Sequence, residues 1–326
     1  MGCYLVAGTA GFIGHRVSEF LLADGHIVLG LDDLNDAYDV RVKEWRLNRL
    51  LKYPNFVFER LDISKYNELK KWIKKQKVEI DAIFNLAARA GVTQSVTNPW
   101  IYVDTNMTGN LNLLEIARHN GIKKFVLAST SSLYGMNPPI PTPESADSDH
   151  PMQPYASSKK GAESMCHSYH YLYNLDVTVL RYFTVYGPAG RPDMVMFRFA
   201  KWILEDKPVE LTGDGSQSRG FTYLDDIARG TILALKPVGF ELINLGGHEV
   251  ISINEMLAIL EKKIGKKAKI EYIDRHKADI TASLADVTKA KRILGWNPQV
   301  NLDQGISNMV QWFIEEKDWI QQVILP

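Results

Sequence analysis

The chain reads as an α/β protein in which a doubly wound parallel sheet carries a smaller, mixed α/β lobe. Three observations predict it. Short apolar runs alternate with amphipathic stretches through the first half of the sequence, the pattern of strands joined by crossover helices. The first run closes on three evenly spaced glycines, Gly8, Gly11 and Gly14. Beyond Pro188 the alternation changes to a helical stretch, a short extended segment and a glycine-rich turn.

Residues 3–7 form the first strand, apolar throughout as buried parallel strands are. The glycines open a helical pattern that carries Val17, Phe20 and Leu21. A Cβ at such glycines would hold the backbone away from a pyrophosphate seated on a helix N-terminus. The next strand, residues 26–31, ends in Asp32, an acid that suits the two hydroxyls of an adenosine ribose and repels a 2′-phosphate. Together these features predict a Rossmann-type dinucleotide site for NAD rather than NADP. Residues 55–60 are the third strand and run to Asp62 and Ile63; residues 66–77 are an amphipathic helix. Residues 81–86 are the fourth strand, followed by Ala87 and Ala88, small enough to admit a cofactor at the carboxyl edge of the sheet. A long helix is expected over about 99–119. A fifth strand, 122–128, then runs into Ser129, Thr130, Ser131 and Ser132.

In the second half, a strand over 177–181 precedes the change at Pro188. A helix near 194–204 and an extended segment at 208–211 follow. Residues 224–235 read as a helix returning to the sheet, and 251–264 as one capped by Ser252 and stopped by Gly265. The expected division is a dinucleotide-binding domain over 1–185 with a returning segment near 221–247. Residues 186–326 are expected to be mainly a substrate domain.

Composition narrows the class. With 326 residues, 45% apolar and 23% charged, the chain can bury one large core or two modest ones. Basic and acidic residues number 38 each, so net charge offers no ground for a nucleic-acid or membrane-surface partner. Cys3 and Cys166 are the only cysteines and lie far apart, which predicts neither a disulfide framework nor a metal cluster. No apolar run reaches bilayer-spanning length, and no cleavable signal is expected at the N-terminus. A soluble, cytoplasmic protein is the expectation.

The chemistry centres on Tyr155 and Lys159, four residues apart and so on one face of a helix. A phenol titrating near pH 10 is a poor base at neutral pH, and a neighbouring ammonium lowers that value. Spacing alone does not single the pair out, because Tyr66 and Lys70 share it and read as the exposed face of an ordinary helix. Context separates them. Thr130 stands in the hydroxyl run just after a core strand and is joined to Tyr155 by a proline-rich loop. The hydroxyl run at 129–132 is either a polar cap or a hydrogen-bonding rim over a cofactor, and its place before Tyr155 favours the rim.

Together these motifs resemble the extended short-chain dehydrogenase/reductase family and, within it, the nucleotide-sugar epimerases. The matching stretches are residues 8–14, 85–88, 132–135 and 213–219, with Tyr155 and Lys159. The resemblance implies that Thr130 and Tyr155 bond a sugar O4, while Lys159 holds the nicotinamide ribose and lowers the Tyr155 pKa. It implies cofactor contacts at Gly8, Gly11, Phe12, Ile13, Gly14 and Asp32, and adenine contacts at Asp62 and Ile63. Leu86, Ala87, Ala88 and Tyr182 complete the implied cofactor set. Residues 181–188, with Thr184 where UDP-glucose 4-epimerases usually have Asn, and the run Gly190-Arg191-Pro192-Asp193-Met194 look like UDP-glucuronate 4-epimerases. Residues 33–39 look like the same subgroup.

The substrate contacts implied are Ser131, Ser132, Thr184, Arg191, Val209, Arg219 and Arg275. A guanidinium fork matches a planar carboxylate, so Arg191, with Thr184 and Ser131 or Ser132, is expected to hold a glucuronate carboxylate. Related decarboxylases and 4,6-dehydratases place an acid after the Thr of this motif, where this chain has Ser131 and Ser132. Three positions depart from the pattern: Gly220 stands where Asp is commoner, and Arg89 and Thr93 where Gln and Arg are usual. The implied reaction is NAD-dependent 4-epimerisation of UDP-glucuronate. A neutral UDP-sugar, or a non-catalytic NAD-binding regulator, is the alternative. A homodimer through helices 99–119 and 152–173 is a further implication of the resemblance.

Overall fold

The structure is a computed structural model that describes residues 1–247, 249–274 and 282–325; the expected contact Arg275 lies outside them. The first half alternates as expected: β1 (Cys3–Ala7), α1 (Phe12–Ala23), β2 (Ile27–Asp32), α2 (Val40–Leu50), β3 (Phe56–Arg60) and α3 (Tyr66–Lys75). Next come β4 (Ala82–Asn85), α4 (Val92–Thr97), α5 (Trp100–Tyr102), a π-helical segment (Val103–Thr108), α6 (Gly109–His119) and β5 (Lys124–Thr130). After a 3₁₀ turn (Ser131–Tyr134) follow α7 (Pro154–Tyr173), β6 (Asp176–Tyr182) and β7 (Thr184–Tyr186). The remainder is α8 (Val195–Leu204), β8 (Pro208–Thr212), β9 (Ser218–Tyr223), α9 (Leu224–Leu233), β10 (Phe240–Leu245) and β11 (Glu249–Ser252). It closes with α10 (Ile253–Ile264), β12 (Lys269–Ile273), β13 (Ala282–Ser283), α11 (Thr288–Leu294), α12 (Leu302–Glu315) and α13 (Lys317–Ile320).

Seven strands make one parallel sheet in the order β10-β6-β5-β4-β1-β2-β3. Successive residues on a strand face opposite sides, and the two apolar cores divide accordingly. Leu5, Ile83, Phe125 and Val177 pack with Leu69, Leu113 and Ala162 of α3, α6 and α7. Their neighbours Val6, Phe84 and Val126 pack instead with Val17, Leu21 and Ile227 of α1 and α9. That is the doubly wound layering, and it leaves the carboxyl ends of β1, β2, β4 and β5 open along one edge. Ala290, Leu294 and Trp296, from the last part of the chain, join the second of these cores.

A third core gathers α8, α10 and α12 around Phe197, Met256, Ile306 and Phe313. It supports a small sheet in which β9 pairs with β7, β11 and β13, while β8 and β12 form a separate parallel pair. The helix expected over 99–119 runs to His119, but residues 103–108 take π geometry, a widened turn found often at functional sites. The fifth strand extends through Ser129 and Thr130, two residues past the expected apolar run.

Candidate active site

The glycine-rich turn forms the floor of the open edge. Gly8 has φ +82°, and a Cβ on it would lie 2.6 Å from Ala87 N. A Cβ on Gly14 would lie 2.0 Å from the Gly8 carbonyl. Only glycine lets β1, the β4 loop and the first turn of α1 approach this closely, and the amide-rich α1 N-terminus faces the opening. Asp32, 8% exposed, accepts from Ala10 N at 3.0 Å and Leu34 N at 2.9 Å. Each oxygen keeps acceptor capacity toward the cleft. Burial raises its pKa, and Lys43 and the two amides oppose that rise.

One cleft gathers every residue expected at the cofactor. Its walls include Gly8, Gly11, Phe12, Ile13, Gly14 and Asp32, then Asp62, Ile63, Leu86, Ala87 and Ala88, and finally Tyr155, Lys159 and Tyr182. Thr130 and Arg191 line the same cleft. The donor set fits a dinucleotide: close-approaching backbone for phosphates, a fixed carboxylate for a ribose, and small side chains along the path. Sequence reasoning missed Asp33, Asn35, Tyr38, Lys43, Thr105 and Met194, which also line it. Asp33, Asn35 and Tyr38 fall in the 33–39 stretch and Met194 in the 190–194 run, which pointed to a subgroup rather than to a surface; Lys43 and Thr105 carried no signal.

At the reacting end, α7 begins at Pro154, with proline in the first turn where its missing N–H costs nothing. Tyr155 faces the Thr130 hydroxyl, and its ring meets Tyr102 edge-on at 6.1 Å. Burial raises the Tyr155 pKa, while Thr130 and the Arg191 charge pull it down. Lys159 is 2% exposed and donates to the Ala128 carbonyl at 3.0 Å. Burial lowers its pKa to about 8, against the raising effect of Cys166 and Glu163. Arg191 is the cation whose charge pulls the phenol down. Thr130 also accepts from Ser132 N and donates to Ser132 Oγ, each at 3.1 Å. Cap and rim are thus compatible readings of one hydroxyl.

Arg191 presents Nε to Asp193 at 3.0 Å and pairs Nη2 with the other oxygen of that carboxylate, so Nη1 is not used by this pair. The loop that carries it is held from below by Arg46, which is fully buried. Arg46 donates to the carbonyls of Ala189, Gly190 and Ala10 at 2.6–3.1 Å, joining the glycine turn to the Arg191 loop. Thr184 lines an adjoining cavity of about 10 Å³, shared with Phe12, Arg191 and Met194 and large enough for no more than a water. Among the described residues that line the main cleft, Ser131, Ser132, Val209 and Arg219 do not figure. Ser131 and Ser132 belong to the 3₁₀ turn. Val209 is buried in the core of the smaller lobe, and Arg219 donates Nη1 to the Ser218 carbonyl on β9. Gly220 has a steric reason: a Cβ there would lie 2.4 Å from the Gly247 carbonyl.

A doubly wound sheet with a glycine-floored dinucleotide cleft, and a Tyr–Lys helix at one end of it, defines a class of nicotinamide-dependent enzymes. The chain belongs to the NAD dependent epimerase/dehydratase family, whose model matches residues 4–246. It is 55% identical over 325 residues to the UDP-glucuronate 4-epimerase of Thermodesulfobacterium geofontis, a match covering 99% of both chains. Among solved structures, it resembles UDP-glucuronic acid 4-epimerase from Bacillus cereus in complex with UDP-glucuronic acid and NAD. That likeness has a TM-score of 0.89 at 35% identity and covers 96% of this chain and 99% of the other. The UDP-glucose 4-epimerase of Thermotoga maritima with UDP-glucose is also similar, with a TM-score of 0.89 at 33% identity over 97% and 99%.

Proposed function

We propose that this chain is an NAD-dependent 4-epimerase that interconverts UDP-glucuronate and UDP-galacturonate. The observation that carries the substrate choice is Arg191, a guanidinium placed in the same cleft as Tyr155 and Thr130. The 55% identity to a UDP-glucuronate 4-epimerase supports it. NAD, when bound, would supply a reversible hydride acceptor for the sugar C4. Tyr155 removes the O4 proton and later restores it, with Thr130 orienting the same oxygen. Lys159 holds the nicotinamide ribose, and Asp32 accepts from the adenosine ribose hydroxyls. Asp62 and Ile63 flank the adenine. The Arg191 Nη1 edge, with Thr184 and the 131–132 turn, meets the sugar carboxylate, while Arg219 serves the diphosphate; Val209, enclosed in the core of the smaller lobe, makes no side-chain contact with the substrate in this reading. No carboxylate stands at Ser131 or Ser132 to drive decarboxylation or dehydration.

Residues 1–185 with the returning segment form the cofactor domain in this reading, and most of 186–326 the substrate domain. Cys3 and Cys166 are both buried and free, which suits a reducing cytoplasm, and no described helix is long and apolar enough to cross a membrane. A homodimer forms, in this reading, through the helices over 99–119 and 152–173. The test is turnover of UDP-glucuronate to UDP-galacturonate beside UDP-glucose to UDP-galactose, in the parent chain and in Arg191→Ala. A charged hydrogen bond contributes about 1.5–3 kcal/mol, so the variant is expected to lose about tenfold to a hundredfold on the acid sugar and little on the neutral one. Equal losses on both would overturn the carboxylate role.

A further inference from the structure

In the sheet, β2 and β4 lie on either side of β1. The loops that follow them are therefore the two walls of the cofactor cleft, with the glycine turn as the floor. A side chain from one wall reaches the other. Arg89 Nη1 donates to Asn35 Oδ1 at 2.6 Å, and Nη2 meets Asp36 at 3.2 Å. Asn35 is itself fixed, because its Oδ1 also accepts from Lys43 Nζ at 2.9 Å and Ala37 N at 3.1 Å. On the opposite wall, Asn106 in the π segment accepts from the Arg89 N–H and donates to its carbonyl, each at 3.0 Å. Asn106 continues to Ser158 Oγ at 2.9 Å, and Ser158 Oγ to the Tyr155 carbonyl at 2.7 Å.

From this geometry we propose that Arg89 is a positioning residue for the cofactor, its guanidinium strapping the cleft between Asn35 and the β4 loop so that a bound dinucleotide is released slowly. The proposal rests on the NAD-binding reading above. Asp33, Asn35 and Ala37 line one side of the cleft and Ala87, Ala88 and Ala90 the other, so a ligand between them sits between the two walls that the bond joins. The Asn35 contact carries the strap. The Arg89 side chain is 15% exposed, whereas that of Asp36 is 91% exposed, and an ion pair to so solvated a carboxylate contributes little. Exchange of cofactor requires the Arg89–Asn35 bond to open, and the chain through Asn106 and Ser158 links that opening to the helix bearing Tyr155.

Arg89→Met keeps the aliphatic stem and removes the fork. The holoenzyme is loaded with NADH, chased with excess NAD⁺, and the loss of bound-NADH fluorescence is timed. The variant is expected to release NADH about tenfold faster, equivalent to about 1.4 kcal/mol, and Arg89→Lys to fall between variant and parent. Release within about twofold of the parent overturns the strap, including when the Tm falls, since a merely structural arginine would lower Tm without changing the release rate. A parent chain with no affinity for NADH would overturn the cofactor reading and the strap with it, so the two failures are distinguishable.

Discussion

At the scale of single residues, the reacting groups are placed but not yet tuned. Burial holds the Tyr155 phenol above its ordinary value, with Thr130 and Arg191 opposing, so the phenol keeps its proton at neutral pH. Tyr155→Phe is expected to lower kcat by about 10²–10⁴ while UDP-sugar still binds; isothermal titration beside a turnover assay separates the two. Lys159 sets the pH window. Its folded pKa, about 8, lies below the ordinary lysine value near 10.4. The ammonium is therefore intact below pH 8 and lost above it, although an unfolded chain would keep it to higher pH. A role that needs the charge predicts a kcat/KM that falls as pH rises through about 8, and a profile flat to pH 10 would contradict it. The same depression means that burial of the charge costs stability below pH 8, a penalty relieved between about 8 and 10.4 as the folded state sheds the proton first.

Among the elements, β5, β6 and α7 are joined by one buried ion pair. Glu163 on α7 takes Arg181 Nε at 2.9 Å and Nη2 at 2.7 Å, and accepts from Ser129 Oγ at 2.5 Å. The side chains are 5% and 1% exposed. Removing one partner strands a buried charge, so Glu163→Gln is expected to cost about 3–5 kcal/mol, read as a lower midpoint in denaturant. Replacing both by apolar side chains should recover much of it. Most of the sheet was legible because β1, β2, β4 and β5 each carry a buried apolar run. The helix α2 was not, because its buried face is Val42, Lys43, Arg46, Leu47 and Leu50. Two cations on the inner side erase the periodicity that marks an amphipathic helix. Their partners are loop carbonyls and Asn35, which no local pattern reveals. The π segment was equally hidden: its sequence is an ordinary helical one, and only tertiary contacts such as Asn106 to Arg89 and Ser158 justify the widened turn. The cofactor half of the site was readable from glycines and strand ends; the lining from residues 33–43 came from those loop and cation contacts.

For the whole molecule, exposed apolar side chains stand near both ends of α7. Val96 and Trp100, on α4 and α5, are 66% and 74% exposed, and Tyr171 and Leu172, in the last turn of α7, are 81% and 63% exposed. A stable dimer needs about 1,200–2,000 Å² of buried surface. Sedimentation is expected to show a dimer for the parent chain and a monomer for Trp100→Glu combined with Leu172→Glu; a monomeric parent would remove the homodimer from the account. The strand order has another consequence. β10 closes the sheet on β6, and Trp296 from far down the chain seals the core beneath, donating to the Asp226 carbonyl at 2.8 Å. While a ribosome is still making residues 183–239, β6 is already complete and has no neighbour on its outer side. The nascent protein thus carries an open row of amides and carbonyls, the kind of edge that pairs with other chains. That edge stays open until residues 240–245 arrive to pair with it.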